Sequence, residues 1–142
     1  MHSQTLENLL VSSSRLIRLA AQATGNATPS AVWRTLALLD SEGAMRVGEL
    51  AAASRISQPG MTRLLGGMVD DGLVSRGADS DDSRASVIGI TAAGHEALVS
   101  WRRQISDTLE PWFGALESDD WAALERAAEI LASRIAGEAV AR

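Results

Sequence analysis

With 142 residues, 46% of them hydrophobic and 22% charged, the chain has the length of one ordinary domain and can bury roughly 70% of the surface its unfolded form exposes, which excludes disordered and fibrous classes. It has no cysteine and all thirteen basic residues are arginine, so disulfides, thiolate nucleophiles and zinc ribbons are excluded, as are P-loop, Schiff-base and kinase-type lysines. The net charge of −5 speaks against a nucleic-acid binder, yet residues 1–45 sum to zero, 46–84 to −1 and 85–142 to −4, so the acidity sits mainly in the last third and the middle can still be locally positive.

In chain order, Leu6, Leu9, Leu10, Leu16, Ile17 and Ala20 recur at steps of three and four and predict a first amphipathic helix. Asn26-Ala27-Thr28-Pro29 closes it and opens a second, with Thr28 as the expected N-cap and Pro29 at the first helical position. Val32, Trp33, Leu36 and Leu39 then face a core and Gly43 supplies a stop. A short third helix is expected over Arg46–Ala53, with Glu49 in its first turn, followed by a turn at Ser54-Arg55-Ile56. Ser57 caps a fourth helix with Pro59 in its first turn and Met61, Leu64, Leu65, Met68 and Val69 as its buried face. Two short helices joined by such a turn outline a helix-turn-helix.

Leu73–Gly77 and Ala85–Ile90 read as the strands of a hairpin across the polar loop 78–84. Thr91 caps a long helix with Leu98, Trp101, Ile105, Leu109, Trp112 and Leu116 inward, which Pro111 should bend or break. Ser118, Asp119 and Asp120 open a last helix along Trp121, Leu124, Ala128, Leu131 and Ile135. The first helix and the last two carry more apolar stripe than a module of this size covers, so pairing with a second copy is expected over folding back on their own core. No apolar run approaches the roughly 18 residues of a membrane span, and Met1–Leu10 lacks the basic-then-apolar order of a signal peptide, so a cytoplasmic protein with no membrane partner is the expectation.

Three fragments, SQPGMTRLL, DGLVSRG and DDSRASVIGITAAGHEAL, run in order over Ser57–Leu98, and in that order and spacing the chain resembles the MarR family of bacterial winged helix-turn-helix regulators. The resemblance implies a mainly α fold with a small two-stranded β-wing, in which residues 28–91 form the winged helix-turn-helix and residues 1–27 and 92–142 are dimerisation helices of a single domain spanning 1–142. It also implies a homodimeric repressor of transcription that binds a roughly palindromic double-stranded DNA operator.

The residues agree with a DNA reader. Ser57 sits at the N-terminus of the fourth helix, whose outer face would show Gln58, Thr62 and Arg63 with Gly66 and Gly67. Gln and Arg can pair bidentately with adenine and guanine edges, and Thr62 can meet a phosphate or a thymine methyl. In isolation these would be an ordinary solvated face; their place in a helix-turn-helix and wing pattern makes them candidates. In the wing, Asp82-Ser83-Arg84 matches the family's Asp-x-Arg motif, which implies that Arg84 contacts DNA, a role suited to a narrow minor groove, while Asp82 orients it with Arg76 as a further partner. A calcium loop starting at Asp79 fails, because its sixth position is Arg84 and its twelfth Ile90. The glycine pair departs from the family pattern and costs the helix roughly 1.5–2 kcal/mol of propensity.

An enzyme finds little support: His2 lies near the terminus, His95 in a first turn, and neither GxSxG nor HExxH is present. No cofactor, metal site or catalytic residue is nominated. A module that binds only protein would use the same amphipathic helices and be indifferent to loss of Arg84. The resemblance also implies an input, since many relatives sense small aromatic or phenolic compounds in a cleft between the dimerisation helices and the winged part; here Trp33, Trp101 and Trp112 would line it with Arg18 holding a carboxylate, although tryptophan at helical spacing is usually core.

Overall fold

The computed structural model describes residues 1–82 and 84–140; Ser83, the middle of the Asp-x-Arg motif, and positions 141–142 of the last expected helix lie outside the described residues. In chain order the elements are α1 (His2–Thr24), α2 (Ser30–Glu42), β1 (Met45–Arg46), α3 (Val47–Ser54), α4 (Gln58–Asp70), β2 (Val74–Ala78), β3 (Ser86–Ile90), α5 (Ala92–Leu109), a 3-10 turn (Glu110–Phe113) and α6 (Ser118–Val140). The chain divides into two compact units, Met1–Thr108 and Leu109–Arg142.

The punctuation residues act locally as their chemistry dictates. Gly25 takes the left-handed conformation at φ 69° and its N–H closes α1 on Gln22 O. Gly43 ends α2, its N–H reaching Leu39 O at 3.0 Å. Ser57 Oγ accepts from Gly60 N–H at 3.2 Å and caps α4, and Thr91 Oγ1 accepts from Gly94 N–H at 3.0 Å at the start of α5. Pro111 stops α5 at Leu109 and the chain continues as the 3-10 turn, since proline has no N–H to give a helix interior.

Three expectations are corrected. Thr28 is not the cap of α2: Pro29, at φ −58° and ψ 141°, holds that position, and Thr28 N–H is drawn back to Asn26 Oδ1 at 2.9 Å, an Asx turn that competes with capping. Arg46 is not helical but extended, and with Met45 it forms β1, so the hairpin gains a third strand in the order β1-β3-β2. Met45 pairs with Ile88 and Arg46 with Val87; a strand of two residues has no alternation to read in a sequence. The wing strands each begin one residue later than expected, antiparallel in a register from Val74↔Ile90 to Ala78↔Ser86.

The core of the first unit gathers Leu36 and Leu39 of α2, Leu50 of α3, Met61, Leu65 and Met68 of α4, Ile88 of β3 and Leu98 of α5, all buried. Burial of each such side chain contributes about 1.5–3 kcal/mol. The cluster fixes α3, α4 and the sheet against α2, which sets the outward face of α4 and the root of the wing.

Candidate nucleic-acid interface

The face of α4 opposite Met61, Leu65 and Met68 is exposed and carries Gln58, Thr62, Arg63 and Gly67, with Ser57 exposed at the cap. The three-and-four spacing that buries one side of the helix leaves these side chains in water, with no intramolecular hydrogen bond among the described residues to the side chains of Gln58, Thr62 or Arg63. Ser57 is already used: its hydroxyl holds the first turn. A Cβ at Gly66 or Gly67 would meet nothing within 4 Å, so packing does not demand glycine at either position.

The wing tip is held by its own backbone. Asp79 N–H donates to Ala85 O and Ala85 N–H to Asp82 O, both at 3.0 Å. Asp82 Oδ1 accepts from Arg84 N–H at 3.0 Å and lies 3.7 Å from Arg84 Nε. The Arg84 side chain itself is 94% exposed, a cation carried at the end of a hairpin with its backbone fixed. Arg76 does not join this pair: it stands on β2 opposite Ile88 and forms no ion pair among the described residues. Arg76 sits at the middle of the five-residue strand, and Asp82 pairs with Arg84 at the tip instead.

A second ion pair, absent from the sequence expectations, joins the wing loop to β1. Arg46 Nε donates to Asp79 Oδ2 at 2.6 Å. The Asp81 N–H first, and then this guanidinium, hold the Asp79 carboxyl below the usual carboxylate range. The two residues lie 33 positions apart, and only the β1–β3 pairing brings them together, so neither periodicity nor a motif could have flagged them. Arg46 and Arg76 line a cleft of about 430 Å³ with Gly48 and Glu49 of α3 and Gln58 and Thr62 of α4.

Elsewhere in the first unit, Trp33 of α2 and Trp101 of α5 stack with centroids 4.9 Å apart and planes at 6°. They line a cavity of about 370 Å³ with Ile17, Arg34, Leu98 and Arg102 among its other walls. Trp33 Nε1 is buried without a hydrogen-bond partner among the described residues. Of the residues expected there, the structure brings Trp33 and Trp101 together; Arg18 is exposed on α1 and is not among the lining residues, Arg34 and Arg102 being the cations that are. Trp112 lies in the second unit, half exposed. His95 Nδ1 sits 2.7 Å from Asp40 Oδ1, tying α5 to α2, and no hydroxyl is hydrogen-bonded to its ring among the described residues.

A two-helix turn with an exposed second helix, followed by a hairpin with a solvent-exposed arginine at its tip, is the geometry of a winged helix-turn-helix. The sequence model of the MarR family matches residues 28–85, the stretch from the end of the α1–α2 loop to the wing tip. An HTH-type transcriptional regulator of Mycobacterium leprae is 32% identical over 96 residues, covering 68% of this chain and 67% of that one. The chain belongs to the MarR family. An HTH-type transcriptional regulator of Mycobacterium tuberculosis is 30% identical over the same length. The MarR fold extends through the chain: wild-type MarR of E. coli superposes with a TM-score of 0.72 at 18% identity, over 88% of this chain and 93% of that one. A MarR family protein from Bacillus stearothermophilus gives 0.70 at 21% identity, over 94% of each. This MarR family member is thus a DNA-binding transcriptional regulator, and no helix among its described residues is long and apolar enough to cross a membrane.

Proposed function

We propose that this regulator is a homodimeric repressor that reads a roughly palindromic operator in double-stranded DNA and releases it when a small aromatic or phenolic ligand binds. The observation that carries the reading is the exposed set Gln58, Thr62 and Arg63 on α4, flanked by a wing whose Arg84 side chain is almost wholly exposed beside Asp82. Ser57 sets the start of α4 and offers its hydroxyl beside the phosphates, Gln58, Thr62 and Arg63 read base edges, and Arg84 enters the minor groove with its backbone held by Asp82. Residues 28–91 form the reading head in this scheme, with 1–27 and 92–142 as the dimerisation helices. Two recognition helices about 34–36 Å apart then fall in successive major grooves.

The stacked tryptophans support the ligand half of the proposal. A flat aromatic acid suits the exposed ring surface of the pair and Arg34 or Arg102 its carboxylate. Release requires the ligand to bind the DNA-free arrangement more tightly than the bound one.

The test is fluorescence anisotropy against the DNA upstream of the chain's own gene, and against a random-sequence selection, over a salt series. Wild type should bind with log affinity falling against log salt, and Arg84→Ala should lose roughly tenfold with a slope lower by about one. Aromatic acids should quench tryptophan fluorescence and weaken the complex together. Binding untouched by Arg84→Ala would remove the wing from the interface, and aromatic acids that change neither signal would remove the ligand.

A further inference from the structure

The cleft between α4 and the wing holds a cation that neither the recognition face nor the wing tip accounts for. Arg46 is anchored from its backbone outward: it pairs with Val87 across β1 and β3, and its N–H donates to Glu49 Oε1 at 3.0 Å. Its Nε is then taken by Asp79 Oδ2 at 2.6 Å, while Asp79 Oδ1 accepts from Asp81 N–H at 2.8 Å. The pair is asymmetric in exposure, 44% for the Arg46 side chain against 12% for that of Asp79, so the carboxylate backs the guanidinium and leaves its outer edge open.

A carboxylate that engages a guanidinium at Nε leaves the terminal amino groups, with four of the five N–H donors, for another acceptor. Those of Arg46 have no hydrogen-bond partner among the described residues. The cleft of about 430 Å³ that Arg46 lines carries donors on its other walls, Gln58 and Thr62 from α4 and Arg76 from β2. Its one carboxylate, Glu49, already has Oε1 committed to the Arg46 N–H. Gln58 and Thr62 also belong to the face assigned to the major groove, so a strand bordering that groove passes beside Arg46. A half-exposed planar fork of donors on the wall of a donor-lined cleft matches a phosphate's oxygens.

We propose that this cleft seats one phosphodiester of the DNA backbone, with Arg46 as its bidentate ligand and Asp79 as the positioning residue that aims it. The proposal rests on the DNA-binding reading above and adds to it a backbone contact between the recognition helix and the wing tip.

The experiment is a sodium chloride series of DNA affinity for wild type, Arg84→Ala, Arg46→Gln, Arg46→Lys, Asp79→Asn and the double variant Arg46→Gln/Arg84→Ala, each checked for an unchanged circular dichroism spectrum. Arg46→Gln should lower affinity roughly tenfold and the slope of log affinity against log salt by about 0.9. Both losses should persist in the Arg84→Ala background, because separate contacts add. Arg46→Lys should keep the slope and lose part of the affinity, having the charge without the fork. Asp79→Asn is the sharpest arm: removal of a negative charge beside DNA strengthens binding by bulk electrostatics, whereas loss of aim should weaken it, by roughly threefold or more.

An Arg46→Gln effect that vanishes when Arg84 is already alanine would make Arg46 a brace for the wing and overturn the proposal. So would tighter binding by Asp79→Asn. Wild-type binding that depends on Arg84 but not on Arg46 removes the phosphate seat alone, and no wild-type binding to any selected sequence removes the DNA-binding reading with it.

Discussion

Gly94 shows how one residue can govern a junction that the helix periodicity does not reveal. It sits in the first turn of α5, where Thr91 N–H donates to Leu73 O at 3.1 Å and Thr91 Oγ1 donates to Gly72 O at 2.6 Å, so the helix start is drawn against the chain entering β2. A Cβ at Gly94 would collide with Leu73 O and press on Ile90 Cγ1; the first is backbone and cannot rotate away. Alanine is worth about 1 kcal/mol more than glycine in a helix interior, but overpacking of this kind costs about 1–3 kcal/mol. Because that backbone oxygen cannot move aside, the cost sits at the upper end of this range and the net at about 2 kcal/mol, so Gly94→Ala should lower the melting temperature by roughly 5–10 °C for a chain of this size, and a thermal scan showing an equal or higher melting point would refute the close approach. At this scale the sequence was legible where chemistry is local. Ser57 and Thr91 cap as their side chains allow, whereas the Arg46–Asp79 pair, 33 residues apart, exists only once the sheet has formed.

Among the elements, α4 carries both the clearest sequence signal and the clearest anomaly. Met61, Leu65 and Met68 fall on one face as their spacing requires, and the helix runs unbroken through Gly66 and Gly67 to Asp70. Tertiary burial therefore outweighs the propensity deficit. Since added Cβ atoms there meet nothing, Gly66→Ala and Gly67→Ala should each stabilise the protein, by about 0.5–1 kcal/mol. Urea denaturation measures this; a lower midpoint in either variant would mean that the open space is filled. If the doubly substituted protein is more stable yet loses DNA affinity, the glycines serve close approach of the helix to DNA. The helices were legible because three and a half turns of pattern average out local noise. The strand β1 was not, since its two residues are extended by their pairing with Ile88 and Val87 and not by any preference of their own, and the helix expected to begin at Arg46 starts one residue late for the same reason.

At the scale of the whole molecule the deciding quantity is apolar surface left in water. Leu6, Leu10, Val11 and Ile17 of α1 are exposed, Ile17 by 60%, and α6 exposes Trp121, Leu124, Leu131 and Ile135, the last by 69%. In a lone chain the exposed parts of these side chains stay in water and invite association, while the buried cluster of the first unit draws its residues from α2 to α5 and, among the described residues, α1 buries Ala20 alone. A twofold copy that covers them converts the same surface into stability and makes that stability depend on protein concentration. Light scattering coupled to size-exclusion chromatography should therefore give twice the chain mass, and the melting temperature should rise with concentration. Ile135→Glu should shift the particle toward one chain, because a charge buried in an apolar contact costs several kcal/mol, and weaken DNA binding with it, since half an operator is held by half the contacts. On a monomer the same exposed substitution would lie within about 0.5 kcal/mol of neutral. A wild type that runs as a single chain, with Ile135→Glu unchanged in mass, melting and DNA affinity, would mean that α6 has no twofold partner and that the operator is read by one copy.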